Sequence, residues 1–201
     1  MFGYLFERRD LYDTTHDGKE LVNSKRFAFL LYVALTIMLF AGLFGGWFVL
    51  RGNNEVWPPL GTPPMTLDKI LPTWIVLIAN VVAMVIARTA MRKNDLVKFH
   101  QWTKIGMSAS ALFLFAFALE WWRLIAGGVT MSTVFGGMYY VITAVFALHF
   151  IGGTYGLTSF LRKAKAAPFT TSQLVGFNNT LTFYYLMLTM WSIIAPLIYI
   201  N

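Results

Sequence analysis

The stretch FAFLLYVALTIMLFAGLFGGWFVL, from Phe27 to Leu50, contains no charged residue. The hydrocarbon core of a bilayer is about 30 Å thick, and a helix needs about 20 apolar residues to cross it. This run is therefore long enough to span a membrane as one helix. It also sets the pattern for the rest of the chain, because similar runs follow it.

Four further charge-poor runs recur along the sequence, and 57% of the 201 residues are hydrophobic while only 12% are charged. A soluble domain carries about twice that share of charge. We therefore expect an all-α, polytopic membrane bundle of five helices, with an arm at residues 1–26 and a membrane domain at residues 27–201. The predicted spans lie near residues 27–50, 70–91, 103–123, 134–161 and 174–200.

The distribution of basic residues predicts the orientation of this bundle. Most of the 16 Lys and Arg residues lie in the arm, between the second and third spans, or between the fourth and fifth. Only Arg51, Lys69 and Arg123 lie at the other end of the spans. Because Lys-rich and Arg-rich short loops stay in the cytoplasm, we expect a cytoplasmic N-terminus and an external C-terminus in a bacterial inner membrane.

The same distribution explains the net charge of +7, because the basic residues border membrane spans. We therefore expect no nucleic-acid partner. The charged arm contains no apolar segment typical of a cleavable signal peptide, so we expect it to be retained.

Few residues are suited to binding a metal. The chain has no cysteine, and its three histidines are far apart in the predicted topology. We place His16 in the arm, His100 in a cytoplasmic loop and His149 near the middle of the fourth span. We therefore expect no metal site, cofactor site or catalytic centre in this chain.

Ionisable groups inside a membrane are costly and are candidates for function. His149 has two interpretations: a neutral, hydrogen-bonded packing residue, which we favour, or a member of a proton relay. Glu120, near the end of the third span, is predicted to form an ion pair with Arg123 one helical turn later. Neither group indicates a reaction.

Buried amides provide the remaining polar candidates. Asn80, Asn178 and Asn179 are predicted either to form hydrogen bonds between helices or to hold lipid headgroups. Arg88 lies close to the cytoplasmic end of the second span, and we expect its side chain to extend to the membrane surface.

Small residues cluster in the first and fourth spans. Closely spaced glycines allow helix backbones to approach one another in lipid. We favour packing inside the chain, and a docking face for another subunit is the alternative. The residues in question are Ala41, Gly42, Gly45, Gly46, Gly152, Gly153 and Gly156.

Several strings, in this order along the chain, resemble subunit III of the haem-copper oxidases. They cover nearly the whole chain from Phe27 to Trp191, and five spans suit the shorter bacterial form of this family. The strings are FAGLFGGWFVLR (Phe40–Arg51), WPPLGTP (Trp57–Pro63), LPTWIVLIAN (Leu71–Asn80), Glu120-Trp121, FGGMYYVITAVFALHFIGG (Phe135–Gly153) and FYYLMLTMW (Phe183–Trp191). Within them, the resemblance singles out Trp57, Pro58, Pro59 and Gly61 in the loop, and Gly136, His149 and Gly153 in the fourth span.

The resemblance implies a non-catalytic subunit of a cytochrome c oxidase in aerobic electron transport. Such a subunit packs beside catalytic subunit I in a complex that also contains subunit II, holds phospholipids and supports proton uptake. Haem and copper are then expected in the partner subunits. Membership of a larger respiratory supercomplex is left open.

The chain departs from the family at its buried polar positions. Thr36 stands where the family usually has a buried Glu, and Phe146 replaces the first of two His residues. Tyr185 and Leu188 occupy the usual His and Asp positions of the last helix. Because none of these side chains titrates near neutral pH, we expect a scaffold role without direct proton transfer.

Other functions remain as alternatives. A quinol oxidase or a nitric oxide reductase uses a similar accessory subunit. A small transporter would fit His149 and the Gly-rich and Pro-rich loop, but the inverted repeats or broken helices typical of transporters are absent from the sequence. An intramembrane enzyme would need a nucleophile–base pair or a metal cluster.

Overall fold

The computed structural model describes residues 16–164 and 169–199, and these residues form five α-helices. The described residues contain no β-strand, which confirms the predicted all-α fold. Residues 1–15 of the predicted arm lie outside this part of the chain. The helices are α1 (His16–Gly52), α2 (Leu67–Arg92), α3 (Leu96–Ala126), α4 (Val134–Lys163) and α5 (Thr171–Tyr199).

Each of these helices is long and apolar enough to cross a membrane, and the shortest apolar segment, Asp68–Arg92, has 25 residues. The predicted number of spans is thus confirmed, while the orientation of the termini stays a prediction. We call the end of the bundle at which α1, α3 and α5 begin the arm side. The opposite end, with the loops after α1 and α3, is the loop side.

The helix α5 lies at the centre of the bundle, where it packs against α1, α2 and α4. In the most apolar window of α5, 61% of the residues are buried, against 17% in α1. Between residues 23 and 52 of α1, the buried residues form one stripe, consisting of Val33, Thr36, Phe40 and Trp47. This spacing corresponds to one helix face, so the other faces of α1 are left for lipid or a partner.

The turn between α2 and α3 places His100 differently from the prediction. Asn94 adopts a left-handed conformation with φ 55°, and the Asp95 carboxylate accepts a hydrogen bond of 3.0 Å from the Lys98 backbone N–H. This N-cap starts α3 at Leu96, so His100 lies on a helix and not in a loop. The same bond lowers the pKa of the Asp95 carboxyl, so the cap persists at neutral pH and weakens as pH falls through that lowered pKa.

The two connections on the loop side pack against each other. Gly127 lies against the ring of Pro63 so closely that a Cβ at this position would overlap it. Trp57 of the first connection contacts Trp47 and Phe135 edge-on, with ring centroids 5.0 and 5.2 Å apart. An aromatic cluster therefore joins this loop to α1 and α4.

Candidate functional site

A hydrogen-bonded polar network crosses the interior of the bundle. The Asn80 amide on α2 donates to the Gly106 carbonyl (2.6 Å) and to the Ser110 hydroxyl (2.7 Å), both on α3. Ser110 also lies 3.3 Å from the Tyr184 hydroxyl on α5, which is 3.4 Å from Thr154 on α4. The network therefore connects four helices.

The members of this network are buried, since Asn80, Ser110 and Tyr184 are each 0% exposed. Among the described residues, the Asn80 side-chain oxygen has no hydrogen-bond donor. The predicted hydrogen bonds between helices are thus present for Asn80. The roles of Ser110, Tyr184 and Thr154 were not predictable, because a single hydroxyl on an apolar helix is not a distinctive signal in the sequence.

We expect Asn80→Leu to destabilise the bundle. The substitution removes two hydrogen bonds to α3, and hydrogen bonds between membrane helices are worth about 1 kcal/mol. The free energy of unfolding of the purified chain, measured by titration with a denaturing detergent, should fall by about 2 kcal/mol for the two bonds together.

Thr36→Val is the matched control for this prediction. Thr36 is also buried, but its hydroxyl bonds within its own helix, where it donates to the Tyr32 carbonyl (2.9 Å). We expect almost no change in the free energy of unfolding. An equal loss in both variants would show that Asn80 does not act through α3.

A second polar cluster lies on the loop side, around Glu120. Arg123 donates two hydrogen bonds to the Glu120 carboxylate, of 2.8 and 2.7 Å, so the predicted ion pair is present. The Tyr199 hydroxyl of α5 donates to the same carboxylate (2.9 Å) and lies 3.3 Å from the Tyr139 hydroxyl of α4. Tyr199 and Tyr139 come from distant parts of the sequence, and no local spacing indicated them.

His149 lies half-buried on α4, where it faces α1. Its Nδ1 is 2.8 Å from the Val145 carbonyl oxygen, which can only accept, so Nδ1 carries the hydrogen. Its ring lies 5.8 Å from Phe40 and 6.1 Å from Tyr32, measured between centroids. In the neutral ring, Nε2 is therefore an acceptor, and the described residues provide no donor for it.

The positions at which the family usually has titratable groups lie in apolar packing. Phe146 is 0% exposed and packs against Trp191 with the rings tilted, at 5.2 Å between ring centroids. Tyr185 and Leu188 are half-buried on α5, and Leu188 borders the apolar core. Phe146 and Leu188 therefore contribute to apolar packing.

The expectation that the Arg88 side chain extends to the membrane surface is wrong. Its side chain does not extend to the membrane surface, since the residue is only 8% exposed and its Nε donates to the Asn178 side chain of α5 (2.7 Å). Asn179, the next residue, donates to the Lys25 carbonyl of α1 (3.4 Å). The two amides therefore join α5 to α2 and to α1.

The glycines divide into two groups. A Cβ at Gly153 would overlap the ring of Phe183, and a Cβ at Gly136 would overlap the Thr130 carbonyl. A Cβ at Gly46 would only touch Met138, at 3.4 Å. These three positions therefore lie against other parts of the same chain.

Four other glycines of α1 and α4 are open. A Cβ at Gly42 or Gly45 on α1, or at Gly152 or Gly156 on α4, would meet no atom within 4 Å. Packing inside the chain was the favoured interpretation, and it is wrong for these four positions. They lie on faces of α1 and α4 that no other helix covers among the described residues.

The loop residues Trp57, Pro58, Pro59 and Gly61 form a compact turn on the loop side. Thr62 donates through its backbone N–H and its hydroxyl to the Pro59 carbonyl, at 3.1 and 2.6 Å. Gly61 has φ 87°, a conformation that favours glycine. With Trp57 held in its aromatic cluster, the motif positions the loop on the bundle.

Residues 16–164 and 169–199 contain no group of three His, Cys, Asp or Glu side chains close enough to hold a metal ion. The polar clusters described above consist of amides, hydroxyls, the Glu120–Arg123 ion pair and the Arg88 guanidinium. They can join helices by hydrogen bonds.

Comparison with known proteins adds independent information. A family model described as cytochrome c oxidase subunit III matches residues 8–201. The chain is 30% identical over 146 residues to a probable cytochrome c oxidase subunit 3 of Nocardia farcinica, covering 72% of this chain and 71% of that protein. It is 27% identical over 174 residues to cytochrome c oxidase subunit 3 of Thermostichus vulcanus, covering 85% and 84%.

Proposed function

The chain belongs to the cytochrome c oxidase subunit III family, and from this premise we propose that it packs beside the catalytic subunit of a respiratory oxidase and stabilises it. The complex lies in a bacterial inner membrane. The haem and copper groups are held by the partner subunits, and this chain contributes helices, hydrogen bonds and lipid contacts.

The open glycines of α1 and α4 are the observation that carries this proposal. Lipid tails are as apolar as leucine, so helices associate in a membrane through close contact and hydrogen bonds. Gly42, Gly45, Gly152 and Gly156 leave room for another backbone, and none of the five described helices occupies that room. We assign this surface, which we call the glycine face, to the partner subunit.

His149 supports the same assignment. It lies between α1 and α4, with its ring against Phe40 and Tyr32. Its Nε2 acceptor can receive a hydrogen bond from a donor on the partner, which satisfies a polar group that is costly to leave unpaired in a membrane.

The contribution of this chain to proton uptake is structural in this proposal. Thr36 donates to its own helix, Phe146 lies in an aromatic core, and Leu188 has no polar atom in its side chain. Such groups do not exchange protons near neutral pH. The subunit supports uptake by holding the partner in its working conformation.

Purification from the native membrane tests the proposal. A chain carrying a C-terminal tag is isolated in mild detergent, its absorption spectrum is recorded, and the co-purifying subunits are identified by mass. We expect haem bands and a large, His-rich partner. The haem types distinguish a cytochrome c oxidase from a quinol oxidase or a nitric oxide reductase, and a colourless chain that purifies alone contradicts the proposal.

A further inference from the structure

One stripe of the central helix α5 faces away from the other described helices. Thr189 and Ser192 are exposed and Pro196 is half-buried, and their spacing of three and four residues places them on one face of α5. We call these three residues the hydroxyl stripe. Helix α4 contacts α1, and α3 packs against both α2 and α4, whereas α1 and α2 do not pack side by side. The hydroxyl stripe therefore lies in the gap between α1 and α2.

The two hydroxyl groups of this stripe are left as hydrogen-bond acceptors. Thr189 donates to the Tyr185 carbonyl (2.9 Å), and Ser192 donates to the Leu188 carbonyl (2.8 Å). Both bonds lie within α5, one helical turn back along the chain. A hydroxyl group has only one hydrogen, so each oxygen can still accept a hydrogen bond from outside the helix.

Pro196 adds a third acceptor to the same face. Proline has no backbone N–H, so the Ser192 carbonyl, four residues earlier, lacks its regular helical hydrogen bond. The hydroxyl hydrogens of Thr189 and Ser192 do not replace this bond, because they are directed to the preceding turn. Since Ser192 is exposed, its carbonyl lies at the surface of the bundle.

The Ser192 carbonyl also lies at membrane depth. Ser192 is seven residues before Tyr199, at which α5 ends on the loop side, and this separation corresponds to about 10 Å along the helix. Lipid tails have no hydrogen-bond donor, and a backbone group without a partner is costly in hydrocarbon. Neighbouring helices commonly supply the missing partner where a proline interrupts a membrane helix. Here the face points away from the other four helices, so the donor has to come from another molecule.

We propose that the hydroxyl stripe binds a transmembrane helix of a further subunit, distinct from the subunit at the glycine face, and that a side-chain N–H or O–H of this helix donates to the Ser192 carbonyl. The two surfaces are separate, because the glycine face lies on α1 and α4. The small side chain of Ser192 allows a partner helix to approach closely. A second copy of this chain does not fit, because a symmetric contact would place acceptors against acceptors.

Cross-linking in the native membrane tests which molecule covers the stripe. A light-activated residue, p-benzoylphenylalanine, replaces Ile193, which is 44% exposed beside the stripe and is not one of the acceptors. The link is formed before detergent is added and is mapped by mass spectrometry. We expect a membrane-spanning peptide of a subunit without haem, with a donor side chain within one turn of the linked residue. The same probe at Ser108, exposed on α3, is expected to link only to lipid.

Pro196→Ala tests the acceptor itself. Alanine restores an N–H that can bond the Ser192 carbonyl inside α5, so the partner helix loses its hydrogen bond. We expect the amount of partner retained per tagged chain in mild detergent to fall about fivefold, as for one hydrogen bond between membrane helices. The unfolding midpoint of the isolated chain should not fall, because proline is unfavourable inside a helix. Pro72→Ala on α2 is the control and should leave retention unchanged.

The inference goes beyond the proposed function, and its failure can be distinguished from the failure of that function. Wild-type retention of the partner in Pro196→Ala would overturn it. A link from position 193 only to lipid, to the haem-bearing subunit or to a second copy of this chain would overturn it as well. Haem bands in the same samples report on the proposed function: a haem-containing complex with such a link contradicts only the inference, whereas a chain without haem contradicts the proposed function.

Discussion

Gly153→Leu is expected to destabilise the folded bundle strongly. A Cβ at this position already overlaps the Phe183 ring, and Leu adds three more carbon atoms. Phe183 has little room to move, because it is 4% exposed and its ring packs against Tyr32 and Tyr184 at 6.2 and 5.8 Å. We expect the free energy of unfolding in detergent to fall by about 3 kcal/mol, at the upper end for an overpacked core.

Gly152→Leu is the matched control for this overlap. The two glycines are neighbours on α4, but a Cβ at Gly152 meets no atom within 4 Å. We expect the isolated Gly152→Leu chain to unfold as the wild type does. Phe183→Ala in the Gly153→Leu background should restore part of the lost stability, and a double variant no more stable than Gly153→Leu alone would argue against the Phe183 contact.

Gly45→Leu is expected to release the chain from its complex while leaving the chain folded. The position is open within the chain, so a larger side chain costs nothing there. In the proposed complex, it blocks the approach of the partner backbone. An overpacked contact costs about 2 kcal/mol, which corresponds to a roughly thirtyfold weaker association.

The measurement is the yield of haem-containing complex per tagged chain after purification in mild detergent, together with the unfolding midpoint of the isolated chain. Ala118→Leu is the control, because Ala118 is exposed on α3 and lies away from the glycine face. A wild-type yield of complex from Gly45→Leu would show that α1 is not part of the interface with the partner subunit. A lowered unfolding midpoint would instead mean that Gly45 has a role inside the chain.

Local interactions were predictable from the sequence. Glu120 and Arg123 are three residues apart on one helix, and this spacing alone brings their side chains together. The start of α3 was also encoded locally, by the Asp95 cap, but the span prediction followed hydropathy and placed His100 in a loop. A helix continues past the membrane surface wherever its backbone is capped, so hydropathy does not mark its end.

The sequence did not determine which glycines of α4 face another helix of the chain. Gly152 and Gly153 are adjacent and chemically identical, yet one faces open space and the other contacts Phe183. The choice depends on the rotation of α4 about its axis relative to α1 and α5. The same rotation decides that Phe146 lies in the aromatic core and that His149 faces α1.

The sequence by itself determined the number of membrane helices, the local ion pair and the family, because apolar length, residue spacing and motif order can be read along the chain. Only the tertiary structure decided that Asn80 meets Ser110, that Tyr199 meets Glu120, and which glycines are open. The physical reason is that lipid, and not water, surrounds the helices. Lipid tails are as apolar as the core of the bundle, so hydrophobicity does not distinguish the inner face of a membrane helix from its outer face, and close packing makes that choice.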